Sequence, residues 1–218
     1  MYYYFRHVYP IDIHVRTAAN QRMAERHVQP LTYAQLPSVF RTAVIATEDR
    51  RFAWDPGVDP IGIARSIVVD VEKDGYVEGG STITQQLVDN TVLSHQKTMT
   101  RKLAQAFYAI GLYDTMTKQD VFTLYANVIY FGNGAYGLQR AAQTYFGEPA
   151  SKLNAGELTM LAGLPNAPSA YDPFRSLTLA RQRQHIVVDN MVDAGFITAA
   201  QAAAIYRLPI ALLHQVGR

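Results

Sequence analysis

Three short stretches of this 218-residue chain carry residue types suited to acid–base or anion chemistry. The first is Glu48-Asp49, which closes the apolar run Ala43-Val44-Ile45-Ala46-Thr47 and is followed by Arg50-Arg51. An acid delivered by an apolar run is expected to be partly buried, and burial raises a carboxyl group towards the range a general base needs. Taken alone, four such charges are more often a solvated turn. The second stretch is Gly79-Gly80-Ser81-Thr82-Ile83-Thr84-Gln85-Gln86. A glycine-hinged turn feeding a helix start presents backbone N–H groups and hydroxyls, which suits an anion. Helix capping by Ser81, with the two glutamines as surface polarity, accounts for it equally well. The third is Arg101-Lys102, two cations near the start of an expected helix, where they oppose its dipole at a small cost. That cost points towards an anionic partner such as a phosphate, against the default of a solvated basic face. Gln105 follows on the same helical face.

Other chemistries find less support. The six histidines show no metal-ligand spacing, and the absence of cysteine removes disulfides, thiolate metal sites and thiol nucleophiles. No phosphate-binding Walker loop and no Gly-x-Ser-x-Gly elbow occur. A net charge of +2 is too small to argue for nucleic acid, so an anion site must be a local cluster.

The elements that must position these residues are mainly helical. Residues 1–37 read as irregular, punctuated by Pro10, Pro30 and Pro37. Asp59-Pro60 predicts a helix to about Val71, and Ser81 a capped helix burying Ile83, Leu87 and Val88. A helix from about Thr98 to Leu112 is expected to bury Met99, Leu103, Phe107 and Ile110. Thr117 and Asp120 resemble a capping pair for a helix through Val128. The glycines of 132–137 require a tight loop, and further helices fall near 138–146, 155–164, 177–193 and 198–205. Strands are scarce, no repeat or linker is visible, and one compact unit is the simplest organisation.

With 49% hydrophobic and 17% charged residues the chain can bury a substantial core. No stretch approaches the roughly 18–20 apolar residues that span a bilayer. Residues 1–7 lack the features of a signal peptide. The expectation is a soluble chain or one whose membrane segment lies outside it. Residues between Val88 and Thr98 and the apolar 60–71 region are candidates for membrane contact, with ordinary core packing as the alternative.

Together, in order, these stretches resemble the motifs of the family 51 glycosyltransferases. These are the peptidoglycan polymerase modules of class A penicillin-binding proteins and of monofunctional enzymes. Thr47-Glu48-Asp49-Arg50-Arg51-Phe52, with Gly57 and Asp59, resembles the first motif. Gly80-Ser81-Thr82-Ile83-Thr84-Gln85-Gln86 is similar to the second and Arg101-Lys102-Leu103-Ala104-Gln105 to the third. Asn127-Val128-Ile129-Tyr130-Phe131-Gly132-Asn133-Gly134-Ala135-Tyr136-Gly137 resembles the fourth, and Glu157 with Leu161-Ala162-Gly163-Leu164-Pro165 the fifth.

The resemblance implies a mainly α, lysozyme-like domain of two lobes with a central cleft over 28–218, after an irregular segment 1–27. It implies polymerisation of lipid II, with inversion, into β-1,4 glycan strands and release of undecaprenyl pyrophosphate. Glu48 would be the base for the acceptor hydroxyl. Arg101 and Lys102 would stabilise the departing pyrophosphate, and Ser81, Thr82 and Gln86 would hold the donor or its metal. Asp49, Phe52, Gln85 and Asn127 join the substrate-binding set, Asn127 and the 132–137 loop by shaping the cleft wall. A divalent ion, magnesium or manganese, is implied without visible ligands. The implied partners are lipid II, the growing undecaprenyl-pyrophosphate-linked glycan, the membrane surface and a cell-wall synthesis complex, at the outer face of the bacterial cytoplasmic membrane.

Two positions depart from the pattern. Gln105 stands where the family has its second catalytic glutamate, and glutamine keeps the length and one acceptor oxygen but no charge. Asp55 stands where the first motif has histidine, either restoring negative charge nearby or serving a turn. The first departure leaves a second expectation open, a catalytically weakened homologue that binds lipid II or scaffolds cell-wall synthesis. A lysozyme-like hydrolase is a third, against which the Ser-Thr-Ile-Thr-Gln-Gln segment argues.

Overall fold

A computed structural model of the chain describes residues 9–58, 81–93 and 98–213. The helix expected over 60–71, the glycine pair 79–80 and residues 94–97 lie outside the described residues. Among the described residues the fold is mainly α, and extended backbone pairs only in an isolated bridge between Tyr130 and Tyr136. The chain divides into two compact units, where one was the simplest expectation. The first comprises Met1–Arg22 and Glu48–Tyr125, the second Met23–Thr47 and Ala126–Arg218.

The N-terminal segment is not irregular. Helix α1 spans Ile11–Glu25 and buries Ile11, Val15, Ala19 and Met23, a residue every fourth position. Pro10 marks its start, since a proline carbonyl still accepts, and His14 donates its N–H to it at 3.2 Å. The polar residues around this narrow stripe conceal it in the sequence.

Helix α2 (Ser38–Glu48) belongs to the second unit up to Thr47 and delivers its last residue, Glu48, to the first. In the first unit helix α3 (Ile83–Thr91) packs against α4 (Met99–Thr115), and α5 (Lys118–Val128) follows, belonging to the first unit as far as Tyr125. The α3 cap is Thr82 rather than Ser81. Thr82 Oγ1 accepts from the Gln85 N–H at 3.1 Å, and Gln85 Oε1 accepts from the Thr82 N–H at 2.9 Å. Ile83, Leu87 and Val88 are buried as expected. Helix α4 is turned relative to its expected stripe. Gln105, Ala109 and Leu112 face inward, whereas Leu103 and Phe107 are 71% and 42% exposed. Apolar spacing found the helix and assigned the wrong face, because the inner face carries a glutamine. Thr117 does cap α5, accepting from the Asp120 N–H at 3.1 Å.

The second unit holds α6 (Leu138–Phe146), α7 (Ala155–Gly163), α8 (Leu177–Asp193) and α9 (Ala199–Arg207). Its centre is α7, buried from Gly156 to Gly163 and packed on α8. Glu157 completes a reciprocal cap with Asn154 at 3.0 and 3.1 Å and accepts from the Ala211 N–H at 3.2 Å. The tight loop 132–137 holds Gly132, Asn133, Gly134 and Gly137 at positive φ. A Cβ on Gly137 would meet the Asn127 carbonyl oxygen at 2.7 Å, so backbone approach demands glycine there.

Candidate active site

The end of α2, the start of α3 and the start of α4 converge in the first unit. Glu48 is half-buried, and its Oε2 accepts a hydrogen bond from Gln86 Nε2 at 2.8 Å. Gln86 is oriented in turn by Tyr125, whose hydroxyl donates to Gln86 Oε1 at 3.4 Å. Burial, and then the charge of Glu48, push the Tyr125 phenol well above its ordinary value. It therefore remains a neutral donor, and the relay Tyr125–Gln86–Glu48 presents an N–H to the carboxylate. That N–H fixes the orientation of the carboxylate that a general base would use.

Asp49 does different work. It is 5% exposed, and its Oδ2 accepts from the Ile83 N–H at 3.1 Å, at the positive end of α3. That bond ties the acid pair to the helix that carries Gln86. Thr82 adds a second tie by donating to the Gly57 carbonyl at 2.7 Å. Gly57, at φ +87°, lies so close to α4 that a Cβ would fall 2.1 Å from the Ala109 carbonyl oxygen. Thr82 and Gln85 are buried, with Thr82 Oγ1 and Gln85 Oε1 engaged in the cap, and Phe52 is buried against the Phe122 ring. These residues position the site from behind.

The N–H groups of Ile83 and Gln85 are thus already engaged, which leaves anion chemistry to the cations. Lys102 is exposed, and its Nζ donates to Ser81 Oγ at 3.0 Å. Arg101 pairs through Nη2 with Asp89 Oδ1 at 2.8 Å. Gln105, one turn further along α4, is 1% exposed and donates its Nε2 to Asp89 Oδ2. Asp89, Tyr125 and Lys118 are the site residues that sequence reasoning missed. Asp89 follows Gln86 at helical spacing, a usable signal; Tyr125 reaches Gln86 from another helix and Lys118 reaches Asp55 in a turn, contacts with no signature in spacing. Lys118 settles the role of Asp55, a buried acid that pairs with Lys118 Nζ at 3.2 Å and accepts from the Gly57 N–H at 2.7 Å. Asp55 serves the turn.

Asn127 belongs to the second unit. Its amide exchanges two 2.8 Å hydrogen bonds with the backbone of Leu31, donating to the carbonyl and accepting from the N–H. It shapes backbone. Among the described residues no three His, Asp or Glu side chains gather to hold a metal ion. Glu48 faces the Gln86 amide, Asp49 the Ile83 N–H and Asp89 the Arg101 guanidinium. These carboxylates do not fit a protein-held divalent ion.

Comparison with known proteins agrees with this arrangement of motifs. The family model described as Transglycosylase matches residues 15–192. The chain is similar to penicillin-binding protein 1A of Haemophilus influenzae, 40% identical over 188 residues, covering 86% of this chain and 22% of the relative. It is 42% identical over 177 residues to penicillin-binding protein 1A of Escherichia coli, covering 81% and 21%. It is 41% identical over 186 residues to penicillin-binding protein 1A/1B of Bacillus subtilis, covering 83% and 20%. The chain thus spans about a fifth of the length of these relatives. The crystal structure of penicillin-binding protein 1A from Haemophilus influenzae shares the fold, with a TM-score of 0.53 at 24% identity over 88% of this chain and 19% of that one. The chain belongs to the transglycosylase family.

Proposed function

We propose that this chain is a peptidoglycan glycosyltransferase, which joins lipid II to an undecaprenyl-pyrophosphate-linked glycan at the outer face of the bacterial cytoplasmic membrane. The observation that carries this reading is that a base and a cation flank one helix start: Gln86 holds Glu48 and Ser81 holds Lys102. Glu48 takes the proton of the acceptor 4-hydroxyl as its oxygen bonds to the anomeric carbon of the donor. The anomeric C–O bond breaks in the same displacement, and its electron pair leaves with the pyrophosphate. Lys102 meets the negative charge that builds there, with Arg101 behind it. An α-linked donor then yields a β-1,4 product by inversion.

Support for a membrane surface comes from Leu103 and Phe107, exposed one turn apart on the helix that carries Lys102, and from Trp54, 73% exposed. Apolar side chains beside a cation suit the headgroup boundary. No helix among the described residues is long and apolar enough to cross a membrane. The test is glycan formation from labelled lipid II in membranes, by the chain and by Glu48→Gln. The chain is expected to polymerise and the variant to lose activity by ~10²-fold or more. Binding of lipid II without polymerisation would refute the enzymatic reading.

A further inference from the structure

Gln105 is buried, is neutral, and stands where a carboxylate belongs in the third motif, yet the site around it does not lack negative charge. Its Nε2 hydrogen is donated to Asp89, and the same carboxylate pairs with Arg101 at 2.8 Å. Arg101 and Gln105 are one turn apart on α4, and Asp89 reaches both from α3. Asp89 lies three residues after Gln86, so it shares a face of α3 with the amide that holds Glu48. Among the described residues Gln105 Oε1 is buried with no hydrogen-bond partner. A buried acceptor left unmatched is costly unless a ligand uses it. Donation to a carboxylate also polarises an amide, making its oxygen a stronger acceptor for a sugar hydroxyl or amide N–H.

We propose that Asp89 is the second carboxylate of this site, a positioning residue whose charge acts through Gln105 and Arg101 in place of a glutamate at position 105. Asp89 lowers the net positive charge that Arg101 presents to pyrophosphate, aims its guanidinium, and holds the Gln105 oxygen as an acceptor. This assignment rests on the glycosyltransferase reading for its catalytic consequence, though not for its effect on anion binding.

The test compares wild type, Asp89→Asn, Gln105→Glu and the double variant. It measures kcat and KM for glycan formation from lipid II, and Kd for undecaprenyl pyrophosphate by calorimetry in detergent. Asp89→Asn is expected to lower kcat by about 30-fold or more with little change in thermal midpoint. It is also expected to tighten undecaprenyl pyrophosphate binding by about threefold or more, because Arg101 loses its counter-charge. Adding Gln105→Glu to Asp89→Asn should restore kcat to within about fivefold of wild type and reverse the change in Kd, which a packing role for Asp89 would not produce. Gln105→Glu alone should be slower than wild type, since it crowds two carboxylates against one guanidinium. An Asp89→Asn variant with unchanged kcat, or a double variant no better than it, overturns the proposal while leaving the glycosyltransferase reading intact. If wild type makes no glycan, that reading falls, and an Asp89→Asn Kd equal to wild type then overturns the role of Asp89 as well.

Discussion

If the Tyr125–Gln86–Glu48 relay positions the base, its links should fail in a fixed order of severity. Gln86→Leu removes the amide at nearly constant volume and deletes the 2.8 Å hydrogen bond to Glu48. A hydrogen bond to a charged acceptor contributes about 1.5–3 kcal/mol, and the half-exposed Glu48 places it towards the low end. About 1.5–2 kcal/mol lost from the transition state is a fall of about 10- to 30-fold in kcat. Tyr125→Phe removes a weaker contact, because 3.4 Å is long for an O–H donor. About 0.5 kcal/mol, or a two- to threefold fall, is expected. Tyr125 spends its hydrogen bond on Gln86 and meets Glu48 otherwise only through space, so the double variant should be scarcely slower than Gln86→Leu alone, the signature of a series connection in a double-mutant cycle. The assay is the initial rate of glycan formation at saturating lipid II, with thermal midpoints to exclude unfolding. Additive losses, or a Tyr125→Phe variant slower than Gln86→Leu, would refute the relay.

Three further outcomes follow from the same geometry. Gly57→Ala must place a Cβ 2.1 Å from the Ala109 carbonyl oxygen at φ +87°, so it should destabilise the first unit by about 2–4 kcal/mol in denaturant titration; a loss under about 0.5 kcal/mol would mean the loop moves freely. Leu103→Asp with Phe107→Asp should weaken binding to anionic liposomes without lowering the thermal midpoint, since both side chains already face out, and unchanged sedimentation with vesicles would count against the membrane face. Tyr125 has its phenol raised in the folded state, so the stability it contributes is complete below pH 10 and is lost as pH rises through the folded value. Tyr125→Phe should flatten the fall in stability measured between pH 9 and pH 12, and an unaltered slope would place that fall elsewhere.

The helices were legible where their ends carry local chemistry. Thr117 reads as a cap and is one, the cap expected at Ser81 is one residue out, and Thr98, Asn154, Ser176 and Thr198 cap helices whose starts the sequence places within a residue without marking the caps. The face of α4 was not legible, because its apolar stripe is turned outward and its inner face is organised around a glutamine. Helix α1 was missed for the converse reason. Four small or aliphatic residues at every fourth position give it a seam too narrow to stand out from the polar residues between.

The same distinction separates what could be read of the site from what could not. Glu48, Gln86 and Lys102 were found because they lie in contiguous stretches whose order is itself informative. Their division of labour was not visible. Asp49, Thr82 and Gln85 look as polar as Glu48 in sequence, yet each has a side-chain oxygen engaged with backbone or cap. Gln105 read alone is a lost charge and argues for a weakened enzyme. Beside Asp89 it is one half of a carboxyl–amide pair whose charge lies on the neighbouring helix, a relation that exists only after α3 and α4 pack. A catalytic motif therefore constrains the charge of a place in the fold more tightly than the identity of a position in the chain. A departure at one residue is to be judged against the side chains it touches.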